Sequence, residues 1–569
     1  MCGIAGFFNP DGISPDTSVL ESMTRALAHR GPDHQGVFQD GRCALGYRRL
    51  SVIDLTGGNQ PMVHAPTGTV LVFNGEIYNY QTLRAELASL GHVFHSHSDS
   101  EALLAAYVQW GEDCLRRLAG MFAFAAWNPS NRSLFLARDR MGKKPLFHAT
   151  LPDGTLVFAS EIKSILRFPG VRRSMNVLAM DRLLDYGFNL APDTFLKEIK
   201  QVPPAHILFA NSSGQTLRPY WDIPMHGPAA NISVDDAAEG LRHHLVEAVR
   251  CRLVADVPVA SYLSGGIDSS SVTGLYAHLS NAPVHTLSIA FQDAGYDERH
   301  FARMVSSSFG TTHHEFLCSI EEQEIEKLVW HLEAPLVTLL NLPLYLLSKQ
   351  IRDMGFKVVL SGDGADEILG GYDYFKLVKL MDFIGRNENI GRANLLRRVF
   401  PGLASPQQAW MHYAALKGYP AAHPALPYRF QAFQLKGRLM SDAFVDRLLP
   451  VIGARDNELP SVPGSRSLMD QALYLESRMR LPNLTLALAD TMSMANSVEL
   501  RSPFMDHRLV EYVFSLPAHL KMRGLNEKSL LKKSFQSFLP PAICRRRKQP
   551  LAPPSKWFVR KFRGFIGDV

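Results

Sequence analysis

Residues 257–270 read VPVASYLSGGIDSS. A short apolar run ends in two glycines, and a helix-forming pattern follows at once. The change recurs downstream. VHTLSIAF (284–291) precedes a helical stretch at 297–309, and KVVLSG (357–362) is a third strand of this kind. Strands separated by helices cannot pair through tight hairpins, so they specify a parallel α/β sheet. Beyond about residue 375 the pattern is mostly helical. The first half is β-rich in another way. TVLVFN (69–74), MFAFAAW (121–127) and SLFLA (133–137) are short apolar runs bounded by Gly, Asn and Pro, and the spacing predicts helices at 16–28, 80–90 and 100–117. Between the halves, residues 200–232 are broken by prolines and small polar residues (QVPPAH, NSSGQT, DIPMHGP). Ser233 can then cap a helix that carries Asp235 and Asp236 in its first turn. The expected division is a first domain at 1–205, a linker at 206–232 and a second domain at 233–569.

Composition narrows the function. The chain has 569 residues, 46% hydrophobic and 20% charged, which excludes disorder. A formal charge of +6 is mild for this length and does not indicate a nucleic-acid partner. No apolar run reaches the roughly 18 residues of a membrane span. The start, MCGIAGFFNP, lacks the basic and apolar regions of a secretory signal. Six cysteines (2, 43, 114, 251, 318 and 544) form no CxxC pair, so neither a disulfide framework nor a zinc site is expected. The expected compartment is the reducing cytoplasm.

Cys2 follows the initiator methionine. Removal of Met1 would leave a thiol and a free α-amine on one residue. The amine is partly neutral near pH 8 and can act as base for its own side chain. Several blocks accompany it: HRGPD (29–33), RRLSVID (48–54), FNGEIYN (73–79), SHSDSE (96–101), GMFAF (120–124), RDRMGKKPL (138–146) and ASEIKS (159–164). Arg49 offers a planar fork for a carboxylate. Asn74, Gly75 and Glu76 end a strand, where an amide and backbone N–H groups can form an oxyanion hole. Asp99 can hold an ammonium. Separately these read as well as a surface ion pair, a plain turn and a helix cap; together they would bind an α-amino acid at both ends beside a thiol.

In order and spacing these blocks resemble the glutaminase domain of class II glutamine amidotransferases. The resemblance implies an N-terminal nucleophile fold, two antiparallel sheets flanked by helices. It implies Cys2 as nucleophile and Asn74 and Gly75 as oxyanion hole. Arg49, Leu50, Ser51, Val52, Ile53, Asn74, Gly75, Glu76 and Asp99 would bind glutamine, and ammonia would be released through a thioester.

In the second half, Gly265 and Gly266 of SGGIDSS let backbone approach a ligand, and the following helix start can cradle phosphate. No Lys follows the glycines, so this is not a Walker A loop. Asp268 can hold Mg²⁺ against phosphates. LSGDGADE (360–367) brings Asp363, Asp366 and Glu367 to a strand end, where three acids repel one another without a cation. A gly-rich turn and a solvated acidic loop are the plain alternatives. The adjacent His313 and His314 of GTTHHEF would point to opposite faces of a strand, so we read them as structural.

SGGIDSS resembles the pyrophosphate loop of ATP pyrophosphatases. With GLNEKSLLKK (524–533) and DTMSMANSVELRSPFMDHRLVE (490–511), which contains Arg501 and Asp506, residues from about 233 onward resemble the synthetase domain of asparagine synthetases. The resemblance implies an α/β parallel-sheet ATP-pyrophosphatase domain with a helical C-terminal part. It implies Leu263, Ser264, Gly265, Gly266, Asp268, Ser269, Ile289, Ser361, Gly362 and Lys528 as ATP and pyrophosphate binders. It implies Asp363 as catalytic and Asp268 and Asp366 as Mg²⁺ ligands. ATP would adenylate a carboxylic acid, and ammonia arriving through an internal tunnel would form the amide. Glutamine, ATP and an acid, by default aspartate, are the expected partners; a homodimer is left open.

Three stretches depart from the family. EAPLVTLLNLP (333–343) stands where members commonly read like EQPFGDPSAIP, so Thr338 and Leu340 replace an acidic and a hydroxyl position. No arginine occurs between 331 and 351, where some asparagine synthetases carry one to meet aspartate. Thr491 replaces a usual Arg, and KQPLAPP (548–554) replaces KxGFxxP. All three are expected near the acceptor, so the reaction type is kept and the acid can differ, unless Arg501 or Asp363 supplies the missing partners. Two other classes fit less well. Ring-closing β-lactam synthetases tend to lose the cysteine, and a glutamine-sensing binding protein would lack catalytic residues.

Overall fold

Among the described residues of the computed structural model, twelve strands, all before residue 220, build the first half. The described residues are 2–12, 16–225, 232–291, 297–319, 321–335, 338, 340–400, 402–417, 440–451, 460, 462 and 467–547. The strands are β1 (Gly3–Phe8), β2 (His34–Gln39), β3 (Cys43–Arg49), β4 (Met62–His64), β5 (Thr69–Ile77), β6 (Gly120–Asn128), β7 (Ser133–Arg138), β8 (Phe147–Thr150), β9 (Leu156–Ala159), β10 (Ile199–Gln201), β11 (His206–Asn211) and β12 (Gly214–Pro219). They form two antiparallel sheets, in the orders β10-β8-β9-β1-β3-β2 and β12-β11-β7-β6-β5-β4.

Side-chain alternation explains the layering. Val70, Val72, Ala123 and Ala125 face Ile4, Leu45 and Phe158 of the other sheet. The intervening Leu71, Phe73, Phe122 and Phe124 pack with Leu83, Leu87 and Leu103 of the helices Tyr80–Ser89 and Asp99–Trp110. Ala5 and Phe7 face Leu20 and Met23 of the helix Thr17–Arg25. Because strand side chains alternate, each strand serves a sheet–sheet layer and a sheet–helix layer. β5 and β6 are therefore buried on both faces, and their sequences run continuously apolar.

Two expectations are corrected. The helix expected over 100–117 is interrupted at Gly111, whose φ of +56° ends the helix Asp99–Trp110; a tight turn and a short helix, Cys114–Arg117, follow. The stretch read as linker from 206 is mostly sheet. β11 and β12 form a hairpin beside β7, with His206 opposite Pro219. The polar NSSG cluster marks its turn rather than a domain boundary.

The second half holds β13 (Val259–Tyr262), β14 (His285–Ala290), β15 (Thr312–Leu317), β16 (Val358–Leu360) and β17 (Glu499–Arg501), all parallel, in the order β15-β14-β13-β16-β17. β14 and β16 flank β13 on opposite sides. The crevice beyond the carboxyl ends of such strands is where open α/β sheets bind ligands. On β15, His313 meets Thr286 Oγ1 at 2.9 Å and His314 meets His285 at 3.2 Å. Among the described residues no helix is long and apolar enough to cross a membrane.

Candidate active sites

Cys2 stands at the head of β1 and is 7% exposed. Its backbone nitrogen donates to Asn74 Oδ1 at 3.0 Å, and Arg30 Nε donates to its carbonyl at 3.1 Å. Its Sγ lies 2.7 Å from the Tyr47 hydroxyl, which also accepts from Gln60. Asn74 Nδ2 is a buried donor without a hydrogen-bond partner among the described residues. An orphaned buried amide is costly, so this one is shaped for a ligand oxygen. Gly75 is required by close approach: a Cβ there would lie 2.1 Å from the Met121 carbonyl oxygen.

Arg49, Leu50, Val52, Ile53, Gly75, Glu76 and Asp99 line the cleft around Cys2. The loop 53–59 holds the Arg49 fork through Asn59 Oδ1 at 2.9 Å and the Ile53 carbonyl at 3.2 Å. Ser51 stands outside the lining; its N–H donates to Asp33, and its carbonyl accepts from Lys357. Asp99 accepts from the Ile77 N–H, and burial pushes its carboxyl up to about 6. Burial, with Asp99 nearby, raises Glu76 well above the carboxylate range.

The second half completes this cleft. Glu499 of β17 lines it, and Arg501 Nη2 reaches Glu76 Oε2 at 3.0 Å while its Nε donates to Glu499 at 2.5 Å. Burial opposes the charge on Glu499, but Arg501 outweighs it and holds the carboxyl down at about 2. One buried guanidinium serves two carboxylates, and two buried anions would repel. Glu499 therefore takes the ionised role and Glu76 holds its proton more tightly. Elsewhere in the seam Asp490 pairs with Arg30 at 2.8 Å and Lys144 at 2.9 Å. Lys143 donates to Ser502, whose hydroxyl is 3.0 Å from Ser361.

A second cavity, about 300 Å³, lies at the ends of β13, β14 and β16. Leu263, Ser264, Asp268, Ser269, Ile289, Ser361, Gly362, Asp363 and Asp366 line it. Gly362 lets the two loops touch, since a Cβ there would lie 2.8 Å from Ser269 N. Gly265 has φ +73°, and a Cβ would meet Phe301 at 2.5 Å; neither it nor Gly266 is in the lining. Lys528 lies buried behind it, 2.5 Å from both Asp268 Oδ2 and Asp366 Oδ1. Burial disfavours its charge, but the two carboxylates outweigh that and raise its pKa. Burial and the Asp366 charge push Glu367 up to about 7; Tyr372 and Thr485 donate to it at 2.8 and 2.9 Å.

Sequence reasoning missed Tyr47, Gln60 and Glu499 at the first cleft, and Arg480, Tyr372 and several leucines at the second. DTMSMANSVEL (490–500) held part of that signal, since it contains Glu499. Arg501 is fully buried between Glu76 and Glu499, so it cannot supply the acceptor cavity as the sequence allowed. Thr491 lines a separate cavity between the halves with Arg30, Glu161 and Glu333, not the acceptor side. The departure at 548–554, like residues 336, 337 and 339, lies outside the described residues.

Comparison with known families agrees with both halves. A model of the glutamine amidotransferase domain matches residues 1–221, and one described as asparagine synthase matches residues 240–569. The class so defined is a glutamine-hydrolysing, ATP-dependent amide ligase. Within it, the chain belongs to the asparagine synthase family. It is 34% identical to asparagine synthetase [glutamine-hydrolyzing] 3 of Bacillus subtilis (strain 168) over 97% of this chain and 86% of that protein. It is 30% identical to asparagine synthetase [glutamine-hydrolyzing] 1 of the same organism, over 100% and 90%. It is also 31% identical to amidase chry2 of Gibberella zeae, over 98% and 90%.

Proposed function

We propose that this chain converts a carboxylic acid to its amide with glutamine nitrogen and ATP, Cys2 being the nucleophile of the first half. Once Met1 is removed, the Cys2 α-amine beside Asn74 Oδ1 takes the thiol proton, and the sulfur attacks the glutamine δ-carbonyl. Asn74 Nδ2 and the Gly75 N–H receive the oxyanion. The C–N bond breaks, ammonia leaves, and water releases glutamate from the thioester. Arg49 takes the glutamine α-carboxylate, while Glu76 and Asp99 take its ammonium.

In the second half a carboxylate oxygen of the acid bonds to the α-phosphorus of ATP, and pyrophosphate leaves. Ammonia then adds to the acyl carbon and AMP departs, with Asp363 placed to take the surplus proton. Ser264, Ser269, Ser361 and the helix start at Ile267–Leu279 hold the phosphates. Asp268 and Asp366 would hold Mg²⁺: their carboxylates converge on one ammonium, and hard oxygen donors suit this ion. When bound, Mg²⁺ neutralises phosphate charge. The cytoplasm, which supplies ATP and glutamine, is the compartment this reading requires.

The observation that carries the reading is that β17 supplies a wall of the cysteine cleft from the other half. Aspartate is the acceptor that the family name suggests, and the relative named an amidase leaves other acids open. Cys2→Ala should abolish glutamine-dependent amide formation and spare the ammonia-dependent reaction. A variant that still hydrolyses glutamine at the wild-type rate would defeat the nucleophile assignment.

A further inference from the structure

The phosphate loops form only part of the second cavity. Leu340, Leu344, Leu484 and Leu488 also line it, each half-buried, and the helices that carry Leu344 and Leu488 pack against each other. They come from two separate places. Leu340 caps and Leu344 belongs to the helix Asn341–Asp353, whereas Leu484 lies in the wide turn Leu481–Thr485 and Leu488 in the helix that continues it. A single exposed leucine needs no explanation, but four on one concave wall form an apolar surface that gains from being covered.

The Thr338 hydroxyl oxygen and the Arg480 guanidinium are already engaged, and the buried Asn341 Oδ1, which has no hydrogen-bond partner among the described residues, is no cation. Thr338 Oγ1 accepts the Leu340 N–H, and Asn341 is 2% exposed and outside the lining. Arg480 donates to Glu476 at 3.0 Å and lies 4.6 Å over the Tyr372 ring. Arg299, on the nucleotide side, is paired with Asp297 at 2.7 Å. Aspartate brings a second carboxylate besides the one activated. Against this wall it would find four leucines and no uncommitted cation among the described lining residues, and an unpaired buried charge is strongly disfavoured.

We propose that the acceptor is a carboxylic acid with an apolar, uncharged body, seated against Leu340, Leu344, Leu484 and Leu488. The assignment rests on the ligase reading above and specifies its substrate class. These leucines are specificity-determining residues: they contact the body of the acid while the phosphate loops and Asp363 handle its carboxylate. Lengthening that body should extend the contact. Each added methylene buried there should raise kcat/KM about fourfold, the equivalent of ~0.8 kcal/mol per CH₂.

The test uses the full chain with ATP, Mg²⁺ and ammonium chloride, and measures pyrophosphate release. The acids are aspartate, glutamate and straight-chain acids from propanoate to hexanoate. The expected result is a kcat/KM that climbs about fourfold per methylene and exceeds that of aspartate by hexanoate. Leu344→Ala should flatten the climb, and Leu344→Met should restore it. Aspartate matching or exceeding the longest acid, or a series without a climb, would overturn the assignment while leaving the ligase reading standing. Failure of every acid, aspartate included, would overturn the ligase reading and the assignment together.

Discussion

The two clefts are built on opposite plans. Around Cys2 the wall combines Leu50, Val52, Ile53 and Phe73 with a prearranged polar set: an amide, a guanidinium and carboxylates, one of them lent by the other half. The second cavity is divided between phosphate loops with their acids and a wall of leucines. A polar cleft fitted to one small amino acid tolerates little change, because each unpaired buried group is penalised. An apolar wall can exchange volume for volume at modest cost. On the proposed reading the nitrogen donor is thus held constant by chemistry, whereas the acceptor is set by shape.

Three measurements would break or sharpen that contrast. The largest effect concerns Lys528, the buried cation behind the second cavity. Lys528→Met leaves Asp268 and Asp366 facing each other and should reduce unfolding free energy by about 3–5 kcal/mol. Urea denaturation reads it, and added Mg²⁺ should recover part of the loss. Next, Asp268→Asn should cut pyrophosphate release by roughly two orders of magnitude or more while glutamine hydrolysis persists. An unchanged rate of ATP–pyrophosphate exchange would dismiss Asp268 from the phosphate site. The smallest effect is on the first cleft. Asp99, at about 6, must be ionised to pair with the glutamine ammonium. The KM for glutamine should therefore rise up to about tenfold per pH unit below 6, the 1.36 kcal/mol of one required proton; Asp99→Asn should erase that slope. For stability the sign is opposite. A carboxyl raised in the folded state favours folding at low pH, and this contribution is lost as pH rises from the unfolded value through about 6.

Much of this was readable in the chain. Short apolar runs bounded by turn residues located β5, β6, β7, β13, β14 and β16, because local pattern and burial agree there. The hairpin β11–β12 was misread because its polar turn has the composition of a linker. The residues around Cys2 were legible as blocks, yet Tyr47 and Glu499 were not. Tyr47 is an ordinary strand residue until β1 brings the thiol beside it, and Glu499 lies 497 positions from Cys2 in sequence, joined only by tertiary folding. Arg501 was visible in its block but not its orientation. Of the four leucines only Leu340 carried a signal, as a departure in the stretch 333–343; Leu344, Leu484 and Leu488 did not, since apolar residues in a helix read as core until a cavity is found beside them.

β17 is only three residues long, but it carries Glu499 on the cysteine cleft, and the Arg501 carbonyl accepts the N–H of Ser361, which lines the second cavity. The boundary between halves in the chain is therefore not the boundary between sites in space. A first half severed after Pro219 would keep its thiol and lose a wall, so the nitrogen it freed would drain into bulk water as ammonium. On the proposed reading, the short strand thereby joins the cleft where glutamine is spent to the cavity where the amide is made.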